Sequence, residues 1–392
     1  MKTNLAVIFG CRSVEHEVAI ISAVQAMRSV NKEKYNLIPL YVTKGGEIYT
    51  GDALTEIEEF RDMPTLLSKL TPVSLIRKDG AVYMKYIGAK SFFKKDVILD
   101  VAFPIVHGTN CEDGTIAGYL EFLGLPYVGC DILSAAVGMD KAVFKDVLKA
   151  AGLPVLPCLR FTAREYNDNG DALLKNIEAK IGFPVIVKPI NLGSSVGITK
   201  AHDMDGLVDA INLAISFSDK VLVEHAVNNL REINCSVLGD ADECHASVCE
   251  EPFMNDEILS YEDKYMGGGK QKGMASLGRK LPADIPEDAA TAIRELSCKI
   301  FKTLGCNGVV RIDYLVDNDT GKVYANEINT IPGSLSFYLW EATGLSYTDM
   351  IDKLIALAFR RQRNRENLTF TIETNILSGV SFGTKGAKGS KM

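Results

Sequence analysis

The chain has 392 residues, of which 47% are hydrophobic and 24% are charged. This length allows two or three domains with separate cores, and the composition is typical of a globular protein and not of a disordered one. The net charge of -7 argues against a general nucleic-acid surface, although a local cationic pocket is compatible with it.

The apolar runs of the chain are short. None reaches the length of a membrane span, and the run at residues 5–9 is too short for a signal-peptide core, so we expect a cytoplasmic protein without a membrane partner. Nine cysteines are scattered without paired metal-ligand spacing. That pattern favours reduced thiols over a disulfide framework.

Alternating strand and helix patterns open the chain. Residues 5–9 predict a short strand, and Ser13 can cap the amphipathic helix that follows. Later patterns predict two further strands and a helix, at 35–42, 97–106 and 115–123. Repeated strand-helix units predict a parallel sheet, and hence an α/β domain over residues 1–130.

A further helix is predicted at residues 140–151, where Gly152 ends it. It belongs to a small central unit, residues 131–230, which is followed by a larger unit at 231–362. The remaining residues, 363–392, end without an apolar pattern, and we expect them to form a mobile tail without a catalytic part.

A lysine precedes a glycine-rich loop in the central unit. Residues 185–189 predict a strand that contains Lys188, and the loop after it holds Ser194 and Ser195. Glycine backbone can approach phosphates closely, while the serines add hydroxyls and the lysine adds a positive charge. This is not the Gly-x-x-x-x-Gly-Lys-Ser/Thr loop, in which the lysine follows the glycines. A plain hairpin turn would account for the glycines, but less well for the lysine and the serines.

Residues 220–227 predict a buried strand that carries Glu224. A carboxylate and free backbone at the end of a strand suit the edge of an adenine and a ribose. By itself, this segment does not identify a nucleotide site.

Two strands are predicted to pair as a hairpin, at residues 309–316 and 322–328. Side chains two apart on a strand share one face, so Glu327 and Asn329 point the same way, and Asp313 lies on the neighbouring strand. These oxygen donors suit magnesium, for which a nucleotide supplies further oxygens. The alternative is that Asp313 and Glu327 are ordinary polar residues beside a hairpin.

Six motifs, in this order, resemble the ATP-grasp ligases and, within them, the D-alanine-D-alanine ligase family. They extend over roughly residues 3–360 and are Phe9 to Val18, His107 to Thr115, Gly138 to Lys141, Lys188 to Gly197, Ser260 to Tyr265 and Asn326 to Gly333. The resemblance implies an α/β fold in which an N-terminal, Rossmann-like parallel-sheet domain of the pre-ATP-grasp type is followed by an ATP-grasp fold in two parts.

The resemblance also implies a reaction. The carboxylate of one D-alanine attacks the γ-phosphate of ATP, and the amine of a second D-alanine displaces phosphate from the acyl phosphate, which gives D-alanyl-D-alanine for peptidoglycan. ATP is then a co-substrate, two Mg2+ or Mn2+ ions assist it, and a homodimer is expected, as is usual in the family. A related ligase that joins D-alanine, or another small amino acid, to a different acceptor is the alternative.

The site residues follow from the motifs. Catalytic roles fall on Glu15, Ser194, Tyr265, Arg311 and Gly333. Substrate contacts fall on His107, Ser336, Tyr338 and Leu339. ATP contacts fall on Lys141, Lys188, Ser195, Glu224, Val227, Glu232, Lys264 and Asn326. Metal ligands fall on Asp313, Glu327 and Asn329.

Glu15 is expected to hold the amino group of the first D-alanine, through hydrogen bonds linked to Ser194 and Tyr265. Alternatively, Glu15 only complements the N-terminus of a helix, an effect of ~0.3 to 1 kcal/mol. His107 is expected either to contact the substrate or to be a satisfied structural histidine.

Arg311 and the backbone N–H of Gly333 are expected to stabilise the oxyanion of the tetrahedral intermediate, where one lost donor can cost ~3 kcal/mol. A side chain at position 333 would crowd the reacting carbonyl.

The chain departs from the family pattern in four places. Cys11 and Cys111 stand where glycines are usual, and either would be strained if its φ were positive. Residues 266–276 are longer and more basic than the usual lid; we expect a mobile loop over ATP, and a surface linker is the alternative. Tyr338 and Leu339 stand where a Ser-Leu pair usually holds the second carboxylate, so the second amino acid is the least defined substrate.

Two other classes of protein fit less well. A non-catalytic nucleotide sensor would not need Asp313, Glu327 and Asn329 together. A dehydrogenase is disfavoured because residues 10–13 lack the glycine fingerprint for a dinucleotide.

Overall fold

A computed structural model describes residues 2–88, 94–193, 196–252 and 278–380. In these ranges the strands are β1 (Thr3–Gly10), β2 (Tyr35–Val42), β3 (Ile48–Thr50), β4 (Thr71–Lys78), β5 (Ala81–Tyr86), β6 (Val97–Leu99), β7 (Val101–Ile105), β8 (Cys158–Thr162), β9 (Val185–Pro189), β10 (Thr199–Ala201), β11 (Lys220–His225), β12 (Leu230–Gly239), β13 (Cys244–Pro252), β14 (Arg279–Lys280), β15 (Gly308–Asp317) and β16 (Lys322–Asn329). The α-helices of the same ranges are α1 (His16–Ser29), α2 (Met63–Lys69), α3 (Thr115–Leu123), α4 (Ile132–Met139), α5 (Lys141–Ala150), α6 (Ala163–Lys180), α7 (Met204–Phe217), α8 (Glu287–Thr303), α9 (Phe337–Ala342) and α10 (Tyr347–Glu366).

The first sheet has the strand order β6-β5-β4-β3-β2-β1-β7. Its strand β1 pairs in parallel with β2 and β7, as the strand-helix pattern predicts. The strands β3 to β6 extend this parallel centre with antiparallel pairs, which the pattern did not predict. Strands joined by a short turn, such as β2 and β3 or β4 and β5, pair antiparallel because a parallel pair needs a long crossover.

Two local predictions in this sheet are wrong in detail. The strand predicted at 97–106 is broken at Asp100, whose carboxylate accepts the N–H of Asn4 at 2.7 Å. Ser13 does not cap α1, because the helix begins at His16 and the Ser13 hydroxyl accepts the N–H of Glu15 at 3.1 Å. Ser13 therefore fixes the turn that carries Glu15.

The second sheet has the order β10-β9-β11-β8 and is antiparallel throughout. Helices α6 and α7 cover it with a core that includes Ile177, Leu207 and Ile211. The predicted strand with Lys188 is confirmed as β9, which pairs antiparallel with β10 after the glycine loop.

The third sheet has the order β14-β13-β12-β15-β16, and β15 and β16 form the predicted hairpin. Helices α4, α5 and α8 contribute to its core, with Phe144 and Leu148 against Ile233. Helices α4 and α5, which belong to the predicted unit 131–230, therefore cover a sheet whose strands lie almost entirely in the predicted unit 231–362. Apolar faces pack by position in space, and chain order does not decide which sheet they cover.

Helix α10 packs against the first sheet as well as against the residues that precede it in sequence. Its Met350, Ile351 and Leu354 are buried in the same core as Leu5 and Val7 of β1. The helix continues to Glu366, beyond the predicted domain end at residue 362. Residues 381–392 of the predicted tail lie outside the described residues.

All nine cysteines are free thiols. In the described part of the chain, no helix combines the length and the apolar character that crossing a membrane requires.

Candidate active site

One cleft is lined by residues from the first domain, the glycine loop and the third sheet. The predicted site residues that it brings together are Glu15, His107, Lys141, Glu232, Arg311, Asp313, Glu327, Asn329, Gly333 and Tyr338. Four predicted site residues lie outside the described residues: Ser194, Ser195, Lys264 and Tyr265.

Four polar side chains form a row across the third sheet, one from each of its long strands. Glu250 is paired with Asn234, Asn234 with Asp313, and Asp313 with Glu327. Directly paired residues point to the same face of a sheet, so this row lies along the floor of the cleft. The sheet thereby sets two carboxylates, Asp313 and Glu327, side by side.

Asp313 is held by Arg311 and Asn329. Arg311 donates from Nε and Nη2 to the two oxygens of Asp313 at 2.7 Å each, and Asn329 donates to Oδ2 at 3.1 Å. Burial lowers the pKa of Arg311, but the charge of Asp313 outweighs this effect and raises it well above the ordinary value. Arg311 therefore remains a cation at the centre of the cleft.

The donor set fits a hard divalent cation. Asp313 and Glu327 offer carboxylate oxygens from paired strands, and Asn329 offers an amide oxygen on the same face. Among the described residues, no three His, Cys, Asp or Glu side chains form a cluster suited to a metal, so the asparagine is needed to complete the set. The ammonium of Lys141 lies 3.3 Å from Glu327.

A β-bulge directs Asn326 towards the glycine-loop strand. The register of β15 and β16 shifts after the Asp313 and Glu327 pair, which leaves Asn326 as the extra residue. Its Oδ1 accepts from the ammonium of Lys188 at 2.9 Å. This contact joins the second and third sheets beside the predicted nucleotide site.

Lys188 also belongs to a buried triad. The carboxylate of Glu224 lies between the ammonium groups of Lys145, at 2.6 Å, and Lys188. Burial alone would raise the pKa of Glu224, but the two lysines lower it to about 2. The predicted contact of Glu224 with ATP remains a prediction for its backbone only, because its carboxylate is bound by lysines.

Lys145 was missed by the sequence reasoning. It lies one helical turn after Lys141 on α5, so the two ammonium groups share a face of the helix. That spacing was the available signal. Val227, another predicted ATP contact, is half-buried just after β11.

Glu15 is enclosed by glycine backbone. It is the N-cap residue of α1 and only 7% exposed. A Cβ atom added at Gly108 or Gly193 would lie 2.6 Å or 2.7 Å from Glu15 Oε2. The missing side chains at these two positions let the first domain and the glycine loop approach the same carboxylate.

His107 lines the cleft, but both of its ring nitrogens bind protein atoms. Nδ1 donates to the carbonyl of Ile331 at 2.8 Å, so Nε2 accepts from the hydroxyl of Ser22 at 2.9 Å. Ser22 in turn accepts the N–H of Ser334 at 2.9 Å. Burial lowers the pKa of His107 to about 4, which leaves it neutral near pH 7. This geometry supports the structural alternative.

Glu112 lines the same cleft and was not assigned a role from the sequence. It accepts the N–H of Gly108 at 3.0 Å and the N–H of Ile331 at 2.8 Å, so it joins the first domain to the segment before Gly333. Burial and the nearby charge of Glu15 raise the pKa of Glu112 to about 7. Its place inside the motif from His107 to Thr115 was the available signal.

The segment after Gly333 is a left-handed turn. Ser334, Leu335 and Ser336 have φ values of 50°, 54° and 50°. Each such residue costs of the order of 1 kcal/mol or more, so the surrounding packing must impose the turn. Ser336 is fully buried, and its hydroxyl has no partner within the described residues.

Tyr338 and Leu339 follow in α9. Leu339 is fully buried and lies in the first turn, where backbone N–H groups lack intrahelical partners. The Tyr338 hydroxyl donates to Glu250 at 2.7 Å. The expected bond from this hydroxyl to the acceptor carboxylate is therefore not available in this arrangement.

The two unusual cysteines lie together in the first domain. Cys11 has a φ of 75°, so it does occupy a position that favours glycine, whereas Cys111 has no positive φ. The Cys111 thiol donates to the carbonyl of His107 at 3.0 Å. A hydrogen bond to Cys11 and burial raise the pKa of the Cys111 thiol, so it stays protonated.

Comparisons with known proteins give one consistent result. The family model described as "D-ala D-ala ligase N-terminus" matches residues 4–130, and that described as "D-ala D-ala ligase C-terminus" matches residues 147–356. A D-alanine–D-alanine ligase of Caldicellulosiruptor bescii is 40% identical over 378 residues, which is 95% of this chain and 99% of the relative. A D-alanine–D-alanine ligase of Thermosipho melanesiensis is 39% identical over 375 residues, or 95% and 98% of the two chains.

Solved structures agree. The VanG D-Ala:D-Ser ligase from Enterococcus faecalis is similar with a TM-score of 0.77 and 33% identity, over 91% of this chain and all (100%) of that chain. The D-alanine-D-alanine ligase from Coxiella burnetii is similar with a TM-score of 0.76 and 29% identity, over 93% and 96% of the two chains.

Proposed function

This chain belongs to the D-alanine–D-alanine ligase family, and from that premise we propose how its cleft joins two D-alanines with ATP as co-substrate. The product, D-alanyl-D-alanine, serves cell-wall synthesis. The observation that carries the proposal is that Glu15, Lys141, Arg311 and the pair Asp313 and Glu327 line a single cleft.

Two lysine ammonium groups, one lining the cleft and one beside it, suit the phosphates of ATP. Two reactants of like charge, a carboxylate and a phosphate, must meet, so charge neutralisation and positioning are the main tasks. Lys141 lies beside Glu327, and Lys188 lies beside Asn326. We assign both ammonium groups to the phosphates, and the glycine loop to covering them.

Asp313, Glu327 and Asn329 would hold Mg2+ or Mn2+. When bound, a divalent ion neutralises phosphate oxygens and helps to orient them. The register that pairs Asp313 with Glu327 supports this assignment.

Glu15 and Arg311 have different roles at the reacting carbon: one binds the amino group of the substrate, and the other stabilises the oxyanion. Glu15, held against Gly108 and Gly193, would bind the amino group of the first D-alanine and leave its carboxylate to attack ATP. Arg311 and the N–H of Gly333 would stabilise the oxyanion that forms when the second amine attacks the acyl phosphate. Arg311 is suited to this role because Asp313 fixes its orientation through two hydrogen bonds.

The test is to supply the purified chain with ATP, Mg2+ and a panel of D- and L-amino acids, with phosphate release and product mass as readouts. We expect phosphate release with D-alanine and the mass of D-alanyl-D-alanine. Release of phosphate without a dipeptide, or no release with D-alanine, would reject the proposal.

A ligase that joins D-alanine to D-serine is the second candidate. The similarity to the D-Ala:D-Ser ligase from E. faecalis and the presence of Tyr338 at the acceptor end favour it. Equal concentrations of D-alanine and D-serine in one assay separate the two candidates by the mass of the main product.

We also propose a cytoplasmic homodimer without nucleic-acid or membrane partners. ATP and the amino acids are cytoplasmic substrates, which supports the location. Light scattering of the purified chain measures its mass in solution and so tests the dimer. The mass of a monomer would be the contrary result.

A further inference from the structure

The acceptor end of the cleft contains a buried cluster of Glu250, Arg279 and Tyr338. Glu250 is 2% exposed. Its Oε1 accepts from the Tyr338 hydroxyl at 2.7 Å and from Asn234 at 3.1 Å, and its Oε2 accepts from Arg279 Nη1 at 2.9 Å. The carboxylate therefore has donors on both oxygens, as a buried anion requires.

The guanidinium of Arg279 is fixed in orientation. It lies 4.0 Å from the centre of the Tyr338 ring, while Nη1 binds Glu250. A stacked guanidinium is planar and presents N–H donors in a fork that matches a carboxylate. Because its partners already restrict the side chain, a ligand would lose little additional freedom in binding it.

The position of Arg279 suits the second substrate. Along the floor of the cleft, Glu327 and Asp313 form one end of the polar row, and Glu250 forms the other. Arg311 lies between these ends, on the same face as Asp313. If phosphates occupy the Glu327 end, the amino acid that attacks from the opposite side of the reacting carbon approaches the Glu250 end.

The cations that line the cleft differ in their positions along it. In the described part of the chain, the Lys and Arg side chains that line the cleft are Lys141, Arg279 and Arg311. Lys141 lies beside Glu327, and Arg311 binds both oxygens of Asp313. The Tyr338 hydroxyl donates to Glu250. Arg279 is the one of these three cations that binds Glu250 directly and lies over the Tyr338 ring, at the acceptor end.

We propose that Arg279 binds the carboxylate of the acceptor D-amino acid, and that Glu250 and Tyr338 are positioning residues that hold its guanidinium in place. This inference rests on the proposed ligase function and names the group that recognises its second substrate. It also explains how a chain with tyrosine at position 338 can still select an acceptor with a free carboxylate.

The test compares acceptors with and without a carboxylate. D-alanine is supplied as donor with D-alaninamide as competing acceptor, and the two products, D-alanyl-D-alanine and its amide, are quantified by mass. We expect Arg279→Met to lower the acid-to-amide product ratio by about 10- to 100-fold relative to wild type, as loss of a charge-assisted hydrogen bond predicts. The KM for ATP should change by less than about threefold, since Arg279 does not touch the phosphates in this proposal.

Arg231→Met is the matched control. Arg231 is also a partly buried arginine of the third sheet, and it binds both oxygens of Glu251, next to Glu250. The acid-to-amide product ratio of Arg231→Met should equal that of wild type. If Arg279→Met does not fold, Arg279→Gln, which keeps a polar N–H donor on this side chain, replaces it, with the same expected fall in the ratio.

The outcomes are distinct. An unchanged ratio in a folded Arg279 variant, or equal loss of both products, overturns the role of Arg279. Failure of the wild-type chain to make either product overturns the proposed function instead.

Discussion

Lys145 donates from Nζ to Oε2 of Glu224 at 2.6 Å, and both side chains are almost completely buried, with 2% and 1% of their surfaces exposed. Glu224 shares its second oxygen with Lys188, so one carboxylate holds two ammonium groups. This triad determines where the charge of Lys188 lies relative to Asn326.

We expect Lys145→Met to lower the free energy of unfolding by about 3 kcal/mol, because removal of one partner leaves buried charge uncompensated. Urea denaturation measures the change. Lys149→Met, at an exposed position of the same helix, is the control and should stay within about 0.5 kcal/mol of wild type. Equal stability of the two variants would show that Lys145 does not support Glu224.

Acid should weaken the same triad. The folded-state pKa of Glu224, about 2, lies below its ordinary value of 4.5, so its contribution to stability is present above pH 4.5 and lost as the pH falls towards 2. A Glu224→Gln variant should lose less stability than wild type over that window, as measured by denaturant midpoints. If the denaturant midpoints of the two proteins fell equally with pH, the depressed pKa of Glu224 would be contradicted.

Glu112 should have the opposite pH dependence. Its folded-state pKa, about 7, lies above the ordinary 4.5, so its contribution is fully present below pH 4.5 and lost as the pH rises through 7. Between these limits, wild type should lose about 3 kcal/mol more unfolding free energy than Glu112→Gln. Thermal or urea unfolding at pH 4.5, 6 and 8 measures this, and a constant difference between the two proteins would be the contrary result.

Glu327→Gln should leave a folded protein with little ligase activity. Loss of one carboxylate weakens charge neutralisation at the transferred phosphoryl group, and we expect turnover to fall by about 100-fold or more at saturating Mg2+. Phosphate release is the measurement, and Glu295→Gln, on an exposed face of α8, is the control. Near-normal turnover would remove Glu327 from the metal role.

Tyr338→Phe tests the hydroxyl separately from the ring. Because the hydroxyl binds Glu250, its loss should lower the unfolding free energy by ~1 to 2 kcal/mol and change the KM for the second D-alanine by less than about threefold. A rise of tenfold or more in that KM would restore the role expected from the sequence, a direct bond from Tyr338 to the acceptor.

Periodicity predicted the elements that repeat a simple pattern. The strand at 35–42, the helix at 115–123 and the hairpin of β15 and β16 match the structure because their apolar spacing is regular. The short strands β3 and β6, of three residues each, are too short to produce a pattern.

Site residues could be predicted only where they belong to a local sequence motif. The face shared by Asp313 and Glu327 follows from strand geometry and was predicted. The bonds of Lys145 to Glu224 and of Glu112 to Ile331 join residues separated by 79 and 219 positions, and no local pattern encodes such partners. Arg279 was missed for the same reason, since its partners Glu250 and Tyr338 lie on different elements.

The packing of α10 on β1 has a consequence for synthesis of the chain on the ribosome. The residues that complete the first core, such as Met350 and Leu354, are translated about 340 positions after β1. At ~5 to 20 residues per second, they follow β1 by tens of seconds. During that interval the nascent first sheet has part of one apolar face uncovered, so chains that stop before α10 should be clients of chaperones or substrates of proteases.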